Sequence, residues 1–122
     1  MRILNLTQHA ATADQIAAGV VDFPTEIHNQ IRALITFDEC PTEVDLFTRA
    51  TEVARVILTH RPAGVSSAMI GGAPFFMPEL EKALRALGIT PLYAFSKREA
   101  IDGPDGKKLS VFRHAGWVEG IA

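Results

Sequence analysis

Three short segments carry the residues best suited to chemistry: Thr7-Gln8-His9, Gly71-Gly72 and Ser96-Lys97-Arg98. Paired glycines let a ligand approach bare backbone N–H groups. Lysine and arginine give charge-assisted hydrogen bonds to phosphate. A histidine exchanges protons near neutral pH. Together these types suit an anionic ligand, a nucleotide above all. Arg113-His114 is a second-choice pair of the same kind. Each segment also has a plain structural reading. Gly71-Gly72 serves as a strand-to-helix turn, His9 as a capping or surface residue, and Ser96 to Glu99 as a solvated edge strand.

Other chemistries have less support. The chain has no full G-x-G-x-x-G and no P-loop. Its acids are scattered, without a carboxylate pair or metal-ligand spacing, so no metal and no cofactor are expected. Cys40, between Glu39 and Pro41, has no base beside it in the chain and is expected to be a free structural thiol. His28 and His60 are expected on helix surfaces. Lys107-Lys108 belongs to a hairpin tip.

The elements that position these residues follow from periodicity and punctuation. Arg2 to Thr7 reads as a first strand. Thr12 and Gln15 form a capping box for a short helix ending near Gly19. Val20-Val21 is a very short strand, and Pro24 to Leu34 a helix with Ile27, Ile31 and Leu34 on one side. Leu34 to Phe37 suits either a helix end or a strand. Thr42 opens a longer helix, with an expected apolar stripe of Phe47, Ala50, Ala54, Ile57 and Leu58. Val65 to Ile70 is a buried strand. A turn at Gly71 to Pro74 leads into a helix that stops at Gly88, with Phe76, Leu80, Ala83, Leu84 and Leu87 facing the core. Ile89 to Ile101 and Lys107 to Val118 flank Asp102-Gly-Pro-Asp-Gly106 as a hairpin. A two-residue Asp105-Gly106 turn would set Arg98 opposite Arg113 and Lys97 opposite His114. Such like-charge pairs are costly unless an anion lies between them.

This order predicts an α/β fold: a mostly parallel, Rossmann-like sheet with helices on both faces and a C-terminal antiparallel hairpin. Ligands of such sheets sit beyond the carboxyl ends of the strands, where the three segments should converge. The 122 residues suit one domain, and 48% of them are apolar, which argues against disorder. Twelve basic and 14 acidic residues give a net charge of −2, so nothing global points to duplex DNA or an anionic membrane. The single cysteine precludes an internal disulfide and favours a reducing, cytoplasmic setting. No signal peptide is expected, and no apolar run nears the ~18 residues of a membrane span.

The C-terminal third, Ile89-Thr-Pro-Leu-Tyr-Ala-Phe-Ser-Lys-Arg-Glu99, Pro104-Asp-Gly106 and Val111-Phe-Arg-His114, resembles one small family. This is the stand-alone CRISPR-associated ring nucleases of type III systems, relatives of the Rossmann-like CARF sensor domains. Leu4-Asn-Leu-Thr-Gln-His9 and Thr12-x-x-Gln15 are similar to that family's first strand and capped helix. Thr7-Gln8-His9 stands where the family carries serine before histidine, and Gly72-Ala73-Pro74 replaces a turn rich in glycine and acid. The resemblance implies a homodimer binding a cyclic oligoadenylate across its two-fold axis. It also implies metal-independent cleavage, by attack of a ribose 2′-hydroxyl on the neighbouring phosphate, switching off nucleotide-signalled antiviral defence. Carried onto this sequence, His9 would transfer a proton or position the ligand. Lys97 and Arg98 would clamp phosphate. Thr7, Gln8, Ser96 and the Gly71-Gly72 backbone would bind, with Arg113 and His114 in reserve. A non-catalytic sponge and an assembly protein without a nucleotide site are the alternatives.

Overall fold

The computed structural model describes residues 1–122 as nine elements. They are β1 (Arg2–Asn5), α1 (Ala13–Ala17), β2 (Val20–Val21), α2 (Thr25–Ile35), α3 (Glu43–His60), β3 (Val65–Met69), α4 (Met77–Ala86), β4 (Thr90–Asp102) and β5 (Lys108–Glu119). The five strands form one sheet in the order β2-β1-β3-β4-β5. All neighbours run parallel except β4 and β5. The fold is thus α/β with a mostly parallel sheet and a C-terminal antiparallel pair.

Local chemistry explains the helix starts. Thr12 and Gln15 bond reciprocally at the head of α1, and Thr42 and Asp45 do so at the head of α3. The ambiguous segment after Leu34 resolves as one more helical residue, Ile35, and then extended Thr36. Alternate strand residues face opposite ways. Leu4, Leu6, Ala68 and Ile70 therefore join Ile31, Ile35, Val53, Ile57, Leu80 and Leu84 in one large core. Ile3, Val20, Met69 and Leu92 form a small second cluster, against which Ala11 and Trp117 pack. The large core takes side chains from α2, α3 and α4, whereas α1 buries none. Helix cover is therefore unequal, where the sequence predicts helices on both faces.

Three further expectations are corrected. The core face of α3 is Ala50, Val53 and Ile57, while Phe47 and Leu58 are exposed. That helix carries more apolar residues than one face can hold. His28 is buried, not superficial, because α2 turns it toward the end of β1. The hairpin turn spans Gly103 to Lys107, closed by the Gly103 N–H donating to the Lys107 carbonyl at 2.7 Å. This longer turn shifts the register by one. Lys97 lies opposite Arg113, Arg98 opposite Phe112, and Ser96 opposite His114. The remaining like-charge pair needs no bound anion, since Arg113 lies 3.6 Å from Glu99 and 3.8 Å from Asp14. No helix is long and apolar enough to cross a membrane.

Candidate functional site

Beyond the carboxyl ends of β1 and β3, and against the first half of β4, lies a pocket of 540 Å³. Thr7, Gln8, His9 and Ala10 form one wall, Ile70, Gly71 and Gly72 another, and Tyr93 and Ala94 a third, with Thr12 and Gln15 at the rim. Two of the three predicted segments therefore converge where strand order and parallel direction require.

The first wall is held by a buried asparagine. Asn5 ends β1 at 1% exposure, and all of its side-chain capacity is used. Its amide nitrogen donates to the His9 carbonyl at 2.7 Å and to Asp22 Oδ1 at 2.8 Å. Its oxygen accepts from the Thr7 N–H at 2.9 Å and the Thr7 hydroxyl at 2.7 Å. Helix α2 fixes the rest of the loop. His28 Nε2 donates to the Thr7 carbonyl at 2.9 Å, and Arg32 Nε to the Gln8 carbonyl at 3.1 Å. Gln8 Nε2 donates to Thr36 Oγ1 at 3.1 Å. All three carbonyls of Thr7-Gln8-His9 are thereby satisfied. The His9 ring makes no such bond and is exposed at the pocket mouth.

The glycine wall behaves differently. Neither the Gly71 nor the Gly72 N–H makes a hydrogen bond within the chain. Gly72 has φ of 129°, a conformation that side chains rarely adopt. Helix α4 begins only at Met77, so its N-terminus lies beyond the pocket wall. The donors come from the glycine backbone itself, not from a helix end.

On the third wall, the Tyr93 hydroxyl donates to Glu81 Oε2 at 2.6 Å. Burial, and then the bond to the Glu81 carboxylate, hold the phenol well above its ordinary value. Glu81 also accepts from the Ala122 N–H at 2.8 Å. Tyr93 is therefore a fixed, neutral wall whose proton is already committed.

A shallower depression of 270 Å³ shares Thr12 and Gln15 with the pocket. It is lined by Ser96, Phe112, Arg113 and His114 from the ribbon and by Asp14 from α1. His114 packs against Trp117 with ring centroids 4.4 Å apart and the planes tilted by 53°, and its buried Nδ1 has no hydrogen-bond partner. Lys97 and Arg98 line neither depression. Both are exposed on the ribbon, with the Arg98 guanidinium 5.5 Å from the Phe112 ring. The structure thus brings Thr7, Gln8, His9, Gly71 and Gly72 together, sets Ser96, Arg113 and His114 beside them, and leaves Lys97 and Arg98 outside. Sequence reasoning missed Asn5, His28, Arg32 and Tyr93. Only Asn5, a polar residue inside an apolar strand, carried a readable cue.

No cluster of three His, Cys, Asp or Glu side chains is placed to hold a metal ion. Cys40 is free and exposed. Fold and site together define an α/β protein with a trough of mixed polar and apolar lining at the carboxyl edge of its parallel strands. The chain belongs to the family described as Uncharacterized protein MJ1673 family, whose model matches residues 1–118. No curated protein and no solved structure matches it.

Proposed function

We propose that this protein binds a cyclic oligoadenylate in the trough and cleaves it without a metal, as a Rossmann-like ring nuclease of type III CRISPR defence. One observation carries the binding half of this reading. The free Gly71 and Gly72 N–H groups share a pocket with the Gln8 and His9 side chains, so unsatisfied donors meet a proton-exchanging group. Phosphate is the ligand group that such donors suit best. Lys97 lies three residues beyond Ala94 of the pocket wall, about 10 Å along an extended strand. A ring that overhangs the pocket would reach the ribbon, and a second copy on the same edge would cover its far half. His9 would assist proton transfer, and the 2′-hydroxyl would displace the neighbouring 5′-oxygen to leave a cyclic phosphate end.

A second reading, a non-catalytic binder, has its own support. No carboxylate, lysine or arginine lines the pocket, and nothing orients the His9 ring. The outward Lys97 and Arg98 also agree with an assembly protein. Incubation with cyclic tetra-adenylate in EDTA, followed by chromatography of the nucleotide, separates the three. Fragments with a cyclic phosphate end are the expected result. Intact ring bound to the protein means the sponge, and intact unbound ring means that the trough serves something else.

A further inference from the structure

We infer that α3 carries a second, self-complementary face through which two copies of this chain pair as antiparallel helices. The helix buries Ala50, Val53 and Ile57 against the sheet and leaves Val44, Phe47, Thr51, Ala54 and Leu58 on another side. Val44 is 72% exposed, Phe47 63% and Leu58 65%. Their spacing alternates between three and four residues, the pattern of a seam between two helices rather than of scattered surface residues. A single helix with two apolar faces has one more than its own fold uses.

The occupant follows from the pattern and the charges. Thr51 lies midway between Val44 and Leu58, so a two-fold axis at Thr51 sets Val44 of one copy over Leu58 of the other. The small side chains at Thr51 and Ala54 allow close approach at the centre. Beside the stripe, α3 and α4 leave a groove of 340 Å³ whose walls include Ala50, Ala54, Ala83 and Leu87. The ring of the other copy's Phe47 has a slot there. The helix begins acidic, at Glu43, and ends with His60 and then Arg61. Antiparallel pairing lays each acidic end beside a basic one and opposes the two helix dipoles, whereas parallel pairing would stack like ends. None of these residues lines the trough, so the pairing is separate from any contact that a ring ligand would bridge.

The test uses the nucleotide-free full chain, so its failure does not touch the proposed function. Sedimentation over a concentration series should show a dimer forming by roughly 100 μM, as a modest interface would give. Phe47→Glu with Leu58→Glu should abolish it while circular dichroism stays native, since both side chains are exposed. In a Cys40→Ser background, Val44→Cys mixed with Leu58→Cys should cross-link on oxidation, and Val44→Cys alone should not. A monomer throughout overturns the inference, as does self-association that both glutamates leave unchanged. Cross-linking of Val44→Cys with itself overturns the antiparallel arrangement.

Discussion

Asn5 and Asp22 meet 2.8 Å apart beneath the loop that forms the first wall of the trough. The amide nitrogen donates to the carboxylate, while the amide oxygen takes both the N–H and the hydroxyl of Thr7. Only an amide, with donors and an acceptor on one short side chain, can hold all of these partners at once.

Replacement of Asn5 should therefore loosen the site from below. Asn5→Ala leaves buried polar partners unsatisfied and should cost about 2–4 kcal/mol in urea denaturation. Asn5→Asp sets two carboxylates side by side, so its deficit should be large at pH 7 and shrink as pH falls and one of them protonates. A deficit unchanged between pH 7 and pH 4 would show that Asp22 does not feel this position.

Tyr93 is the only tyrosine, so alkaline absorbance reports on it alone. Its raised value means that the folded protein keeps the phenol protonated where the unfolded chain has lost the proton. The sign follows. The contribution to stability is present below the ordinary value of 10.0 and is lost as pH rises above it. Tyrosinate absorbance should appear in the native protein only well above pH 10, and Glu81→Gln should lower that onset. A native midpoint near that of the urea-unfolded chain would mean that the Glu81 bond is not kept in solution.

The two glycines of the second wall should separate stability from binding. A methyl group at Gly71 meets only Thr7 Cγ2, at an ordinary 3.9 Å, so Gly71→Ala should fold normally. The same change at Gly72 forces a side chain to φ of 129° and should cost about 1–3 kcal/mol. If the Gly71 backbone meets phosphate, Gly71→Ala should weaken cyclic tetra-adenylate binding at least tenfold with an unchanged melting temperature. Full affinity in that variant would move the phosphate elsewhere in the trough.

The ribbon cations should matter only to a ligand that overhangs the pocket. Lys97→Ala with Arg98→Ala should weaken the ring by about 1.5–3 kcal/mol, and a mononucleotide hardly at all. Equal affinity for the ring before and after the change would exclude the ribbon from the binding surface.

His9 should divide turnover from binding. Its ring is free at the pocket mouth, so His9→Ala should slow cleavage more than it raises the dissociation constant. Equal losses in both would make it a contact residue alone.

Much of the fold was legible in the chain because it rests on local rules. Thr12 with Gln15 and Thr42 with Asp45 announce helix starts through bonds made within four residues. Alternating and helical periods mark the strands and helices, and their order sets a mostly parallel sheet with an antiparallel end. The segments Thr7-Gln8-His9 and Gly71-Gly72 were legible for the same reason, since both leave strands at one sheet edge.

Other features depend on distances that no local pattern encodes. The turn from Gly103 to Lys107 set the ribbon register, and a shift of one residue moved Arg98 from Arg113 to Phe112. Packing chose which of two apolar faces α3 buries, and left Phe47 outside. It also carried His28, Arg32 and Glu81 to partners 12 to 24 residues away. The sequence alone determined the elements and the sheet edge where a ligand can lie, because these follow from neighbours along the chain. Tertiary structure decided which side chains reach that edge, because register and helix rotation are settled by the core as a whole.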